Sequence, residues 1–285
     1  MNGLLIVNKE KDFTSRDVVN IISKKFNTSK VGHTGTLDPM ATGVLVIAIG
    51  KSLKLIEFLS CDTKEYVATV KVGILTDTLD ITGNILKEEK TITLDKEQIK
   101  NVLNSFLGKS IQEVPIYSAV KVNGKRLYEY ARGNKEIELP KRTVEIYDME
   151  LLEVLDDSFT FRVSVSKGTY IRSLIRDIGI KLNVLTTMSE LKRIKQGIFD
   201  IKDSYTLEQI TNGEFEIINP IKALTNFEIV KVDDFIKNKV LNGRILDNRY
   251  SNERIAFIDK NDMLLGLYKP YEKDIKKIKP IKIIK

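Results

Sequence analysis

From Leu4 to Asn8 the chain is almost wholly apolar, and from Val18 onward apolar residues return at Val19, Ile22 and Phe26. The first run reads as a strand. The second has the spacing of a helix that Thr14 or Ser15 can cap. Val44–Ile49 is a continuous apolar run closed by Gly50, the pattern of a strand buried on both faces, and Ser52–Leu59 follows as a short helix. Glu65–Gly73 alternates instead, with Tyr66, Ala68, Val70 and Val72 on one face, so it predicts a half-buried strand opened by a tyrosine. Thr76–Gly83, which carries Asp77 and Asp80, is a polar connection. Leu94–Leu107 is amphipathic, with Ile99, Val102, Leu103 and Phe106 as its stripe.

In the second half, Val144–Leu155 and Ser158–Ser166 read as paired strands around Asp156-Asp157, the latter strand presenting Phe159, Phe161, Val163 and Val165 on one face. Gly168 then opens a helix whose buried stripe is Ile171, Leu174, Ile175, Ile178 and Leu182. An irregular stretch begins at Asn219-Pro220. Beyond it the pattern predicts a helix at Asp233–Leu241, strands at Ile255–Asp259 and Leu264–Tyr268, and a lysine-rich tail with interleaved isoleucines suited to an edge strand. This divides the chain into residues 1–222 and a smaller unit, 223–285. No internal repeat is present.

Residues 121–143 interrupt the periodicity. Lysines and arginines alternate there with Tyr128 and Tyr130, and Gly124, Gly133 and Pro140 break any regular element. Such a segment is a solvated hairpin, or a flap whose cations meet phosphates while its aromatics stack on bases.

Composition narrows the chemistry. The 285 residues are 42% apolar and 30% charged, the balance of an ordinary globular protein. One cysteine, Cys61, supports neither a disulfide framework nor a Cys-rich zinc site, and one histidine, His33, gives a transition metal little to bind. The amino-terminal apolar run is shorter than a signal peptide and no run reaches spanning length, which predicts a cytoplasmic protein. The net charge of +7 fits a polyanionic partner and also fits a merely basic surface.

Two placements stand out as candidate chemistry. Asp38 lies at the centre of a loop punctuated by Gly32, Gly35, Pro39 and Gly43, with His33 on the same segment. Glycines let a backbone approach a ligand closely, and Pro39 fixes φ directly after the acid, although Asp-Pro also suits a simple turn or helix cap. Arg172 falls in the first turn of its helix, where the positive end of the macrodipole disfavours a cation by about 0.3–1 kcal/mol. A cation at such a place points to a carboxylate or phosphate nearby, although a solvated arginine would also be acceptable there.

Three motifs then carry a resemblance. Gly32-His33-Thr34-Gly35-Thr36-Leu37-Asp38-Pro39-Met40-Ala41-Thr42-Gly43, the segment from Pro115 to Tyr128 followed by Ala131-Arg132, and Lys167-Gly168-Thr169-Tyr170-Ile171-Arg172 resemble the signatures of TruB-type tRNA pseudouridine synthases. The similarity runs in order from Gly3 to about Gly197. It departs at Lys9-Glu10, where the family often has Lys-Pro, and at Val114-Pro115, where it has a Pro-Pro pair.

The resemblance implies an α+β fold: a central mixed, mostly antiparallel sheet flanked by helices, then a small, mostly-β, PUA-like RNA-binding module. It implies isomerisation of the uridine at position 55 in the T arm of tRNA to pseudouridine, by base flipping and without cofactor or metal. Asp38 would be the nucleophile and Arg172 its partner. Tyr66 would stack on the uracil and serve in proton transfer, Tyr170 and Leu191 would line the base pocket, and His33 would contact RNA where the uridine leaves its stack. tRNA is then the partner, with no obligate protein partner and a monomeric enzyme.

The chemistry is consistent with these residue types. Asp38 can add to C6 of the base, capture C1′ of the ribose or deprotonate C2′ to give a glycal, and sequence leaves all three open. Extruding a base costs a few kcal/mol, which stacking on Tyr66 and filling of the gap by His33 would offset. Two competing readings remain: an RNA-binding module without catalysis, and a glycoside hydrolase needing two acids, for which Asp77 and Asp80 are candidates in a solvated polar turn.

Overall fold

The structure is a computed structural model that describes residues 1–59, 61–90, 94–133 and 135–285. Strand β1 (Gly3–Lys9) leads to helix α1 (Ser15–Lys25), whose Thr14 cap forms a capping box with Asp17. Phe26 is the residue after the helix rather than part of it. The short β2 (Val31–His33) precedes the Asp38 loop, and β3 (Thr42–Ile49) follows it. Gly50–Phe58 is a 3-10 helix rather than an α-helix. Then come β4 (Lys64–Val72), the small hairpin β5 (Ile74–Thr76) and β6 (Ile85–Glu88), α2 (Lys96–Asn104) and β7 (Gly108–Glu113).

The basic segment forms a hairpin of β8 (Lys121–Val122) and β9 (Lys125–Arg126) and the short α3 (Leu127–Arg132). Its last residues, Lys141–Thr143, already belong to β10 (Lys141–Leu155), paired with Glu113, Gln112 and Ile111 of β7. The expected flap boundary at residue 143 therefore overlaps the sheet. Asn134 lies outside the described residues. A tight turn joins β10 to β11 (Ser158–Val165), and α4 (Ile171–Leu182), β12 (Thr186–Gln196) and β13 (Phe199–Asp200) follow. Gly168 does not start α4. It turns the chain with φ +84°, and the helix begins three residues later.

One sheet orders these strands β1-β3-β12-β4-β11-β10-β7, with β2 beside β3 and β13 beside β12. Among the described residues only β3 and β12 run parallel in this sheet; its other strand pairs are antiparallel. Both faces of β1 and β3 are buried, which explains their unbroken apolar runs. Leu5, Val7, Leu45 and Ile47 pack against the helical layer with Val18, Ile22 and Ile175. Leu4, Ile6, Val44 and Val46 pack on the opposite side with Ala256, Ile258, Leu264 and Leu267 of the C-terminal region.

After α5 (Leu207–Asn212), the C-terminal region contains β14 (Glu228–Lys231), α6 (Asp234–Leu241), β15 (Leu246–Asp247), β16 (Ile255–Ile258), β17 (Leu264–Tyr271) and β18 (Asp274–Ile283). They form a second sheet in the order β14-β16-β17-β18-β15. The lysine-rich tail is thus not an edge: β18 pairs with β17 on one side and, at Lys277 and Ile278, with β15 on the other. No helix among the described residues is long and apolar enough to cross a membrane.

Candidate active site

The loop between β2 and β3 is held from three directions. Ser15, buried at the start of α1, donates to the Leu37 carbonyl and accepts from the Leu37 amide. Lys9, at the end of β1, is 0% exposed, and its Nζ donates to the carbonyls of Glu10, Phe13 and Pro39. Burial brings this ammonium down to about 8, against the opposing pull of Asp12 and Asp38. From β12, the wholly buried Arg193 donates through Nε to the Val44 carbonyl and through Nη2 to that of Gly35, tying both ends of the loop. Gly43 is required at that junction. Its φ is +99°, and a Cβ there would stand 2.2 Å from the Arg193 carbonyl oxygen.

Asp38 therefore presents its carboxylate on a fixed backbone, and Arg172 from the first turn of α4 grips it. Nε lies 3.0 Å from Oδ2 and Nη2 lies 3.1 Å from Oδ1. The Arg172 side chain is 6% exposed and that of Asp38 34%, so the cation is buried while the acid keeps an open face. The remaining guanidinium donors reach the Thr78 carbonyl at 3.0 Å and the Tyr117 carbonyl at 3.1 Å. Asp38 does not merely cap a turn.

A second carboxylate completes the surroundings of Arg172. Asp80 is buried, and its Oδ2 is 3.7 Å from Arg172 Nη1. Its Oδ1 accepts from the hydroxyls of Thr78 and Thr82 and from the Thr82 amide. The expected solvated turn is thus half right. Asp77 serves the turn through Asn84, whereas Asp80 faces inward and balances the arginine. The unfavourable helical position of Arg172 is accounted for by these two anions.

The Asp38–Arg172 pair opens onto a cleft of about 460 Å³, walled in part by Lys64, Tyr66, Ser118, Arg142, Tyr170 and Leu191. Tyr66 and Leu191 are 6% and 8% exposed, and they come from the neighbouring strands β4 and β12. Tyr170 is positioned through its backbone: the buried Gln112 side chain on β7 accepts from the Tyr170 amide and donates to its carbonyl. Of the predicted site residues, Asp38, Tyr66, Tyr170, Arg172 and Leu191 share this cleft. His33 does not line it. Its ring sits half-buried on β2, where burial first, then Arg193 and Arg16, lower its pKa and favour the neutral form. A separate hollow of about 500 Å³ between the 3-10 helix after β3 and the β16–β17 turn gathers none of these residues.

In the basic hairpin segment, Tyr128 is contacted by the guanidinium groups of Arg126 and Arg132, and the Tyr130 hydroxyl donates to the Val122 carbonyl. Sequence reading grouped Arg193 with the site segments but gave it no role, and it missed Lys9, Gln112 and the inward role of Asp80. Lys9 leaves one trace, a lysine directly after an apolar strand. Strand β12, which supplies Leu191 and Arg193, went unread because bulges at Met188/Glu190 and Arg193/Lys195 disrupt its alternation.

A mixed sheet of this order, with a buried guanidinium on a loop carboxylate beside a tyrosine-walled cleft, is built on a fold shared with solved proteins. A chain in the solved structure of an H/ACA RNP bound to a substrate RNA containing 2'-deoxyuridine superposes with a TM-score of 0.73 at 26% identity, covering 99% of this chain and 85% of that one. A chain in a Cbf5-Nop10-Gar1 complex gives 0.72 at 28%, covering 99% and 84%.

Sequence narrows the class further. The family model for the TruB family pseudouridylate synthase N-terminal domain matches residues 23–171, and that for the tRNA pseudouridylate synthase B C-terminal domain matches 172–219. The tRNA pseudouridine synthase B of Clostridium tetani is 43% identical, over 98% of this chain and 99% of its own length. That of Staphylococcus aureus is 41% identical, over 99% of each. The chain belongs to the TruB family of pseudouridylate synthases. Residues 172–219 hold nearly all of helix α4 and supply β12 and β13 to the large sheet, so the second family match falls outside the five-stranded C-terminal sheet.

Proposed function

We propose that this protein isomerises uridine in tRNA to pseudouridine, at position 55 in the T arm, acting as a monomer in the cytoplasm. The single observation that carries the reading is the Asp38 carboxylate held at two oxygens by the buried Arg172 on the floor of a tyrosine-walled cleft. The everted uridine enters that cleft, its ring against Tyr66 and enclosed by Tyr170 and Leu191. Asp38 then adds to C6, displaces the base at C1′ or removes the C2′ proton. By each route the N1–C1′ bond breaks, C5 bonds to C1′ and the C5 proton leaves, while Arg172 holds both carboxylate oxygens and aims the acid. Tyr66 is within the same cleft for the proton transfer that re-forms the ring's aromaticity. Isomerisation leaves the substrate's oxidation state unchanged, so the proposal includes no cofactor.

His33 remains outside the cleft lining, and its proposed contact is with RNA beside the vacated stack. Residues 1–222 form the catalytic unit in this reading, and 223–285 a PUA-like module whose lysines meet tRNA phosphates. Its test is to map pseudouridine in tRNA before and after incubation with the pure protein. A new pseudouridine confined to position 55 is expected, and unmodified tRNA after prolonged incubation would refute the reading.

A further inference from the structure

Lys64 differs from every other buried lysine at the site. It is the first residue of β4, half-buried in the cleft wall, and pairs across the sheet with Gln196 and Val165. Among the described residues its ammonium has no hydrogen-bond partner and no carboxylate within ion-pair distance. Of the two acids nearest in sequence, Glu65 is engaged by Arg162 at 2.6 Å and Asp62 by Lys167 at 3.1 Å. Lys9, the comparable case, satisfies its ammonium with three carbonyls. Arg193 adds a like charge nearby, and burial with that repulsion pulls Lys64 down to about 8. A desolvated cation without a direct partner is costly, and only the through-space pull of Cys61 and Asp62 opposes that cost here. An anion that arrives with the substrate would.

We propose that Lys64 binds a phosphate adjoining the everted nucleotide and so sets the depth at which the base enters the cleft. This rests on the functional reading above. Lys64 and Tyr66 are two residues apart on one strand, so their side chains leave the same face about 6.6 Å apart. That separation is comparable to the reach from a pyrimidine ring to the phosphate of its own nucleotide. A ring against Tyr66 thus brings its backbone to Lys64, on the side of the cleft toward Gly35. Asp38 and Arg172 neutralise one another in the same cleft, leaving Lys64 to attract the backbone. The residue is a substrate-binding group in this account, not a catalytic one.

The test uses T-arm RNAs in which a neutral methylphosphonate replaces either linkage flanking the target uridine. The wild-type protein is expected to bind one of the two about tenfold more weakly than the natural RNA, the size of a charge-assisted hydrogen bond. Lys64→Gln should bind natural RNA with the same loss, show less than about a twofold further loss with the neutral linkage, and have a salt slope smaller by about one. Lys64→Arg should restore the sensitivity. Equal wild-type affinity for all three RNAs, or fully additive losses in Lys64→Gln, overturns the proposal while leaving the isomerase reading intact. Absence of tritium release from C5-labelled uridine in any tRNA refutes that reading, and this inference with it.

Discussion

Arg172 and Asp38 are separated by 134 residues of chain, yet two guanidinium nitrogens meet two carboxylate oxygens at 3.0 and 3.1 Å. The same guanidinium also holds the Tyr117 and Thr78 carbonyls and faces Asp80. One side chain therefore links the Asp38 loop, the segment leading into the basic hairpin, and the turn before β6. Arg172→Lys keeps the charge but cannot span these positions as a fork. Tritium release should fall about 100-fold or more, as expected when a reacting group is displaced by an ångström, and thermal stability should drop. Wild-type turnover in this variant would remove the pair from the mechanism.

Asp38→Asn separates catalysis from binding. The amide is nearly isosteric but has no nucleophilic charge, so tritium release should vanish. Affinity for tRNA should stay within about tenfold, because phosphate contacts dominate it. Retained turnover would end the nucleophile assignment. Lost binding with lost turnover would mean that Asp38 supports the RNA site rather than the reaction.

Gly43 tests how tightly the loop is anchored. A methyl there would collide with the Arg193 carbonyl oxygen at 2.2 Å, in a backbone conformation with φ +99°. Gly43→Ala should cost more than about 3 kcal/mol, combining strain with a clash against backbone. Gly124 in the basic hairpin also has positive φ, +82°, but nothing within 4 Å of its Cβ. Gly124→Ala should cost only about 1 kcal/mol. Differential scanning calorimetry of the two variants distinguishes them, and equal melting points would contradict the packing described.

Lys9 predicts a pH dependence. Its ammonium holds a proton to about 8 in the folded protein and to 10.5 in the unfolded chain. Between those values the unfolded chain binds more protons, so stability rises with pH. Below about 8 the cost of the buried charge is fully present. Lys9→Met should be less stable throughout, by about 1–3 kcal/mol, through loss of the three carbonyl bonds. Its stability should also climb less steeply from roughly pH 8 to pH 10, measured by urea denaturation. An identical slope in both proteins would place the titration elsewhere, Lys64 being the other cation held near 8.

Much of this architecture was legible in the residue order. Alternation in Glu65–Gly73, Ser158–Ser166 and the doubly apolar Val44–Ile49 marked true strands, because a strand's side-chain period is a local property. The Asp38 loop, Tyr66, Tyr170, Leu191 and Arg172 were recognised from motif resemblance, and Arg172 also from its awkward place against a helix dipole. Strands whose exposure is irregular escaped notice. In β7 only Gln112 is buried, and β12 carries two bulges.

By itself, the order of residues determined which segments become strands and helices, and which side chains are chemically able to act. Tertiary structure alone decided that Asp80 turns inward, that Lys9 and Arg193 vanish beneath the loop, that His33 stands outside the cleft, and that Lys64 has no hydrogen-bond or ion-pair partner among the described residues. Burial and pairing arise between segments far apart in the chain. They depend on which faces meet when the sheet assembles, and no local pattern encodes that.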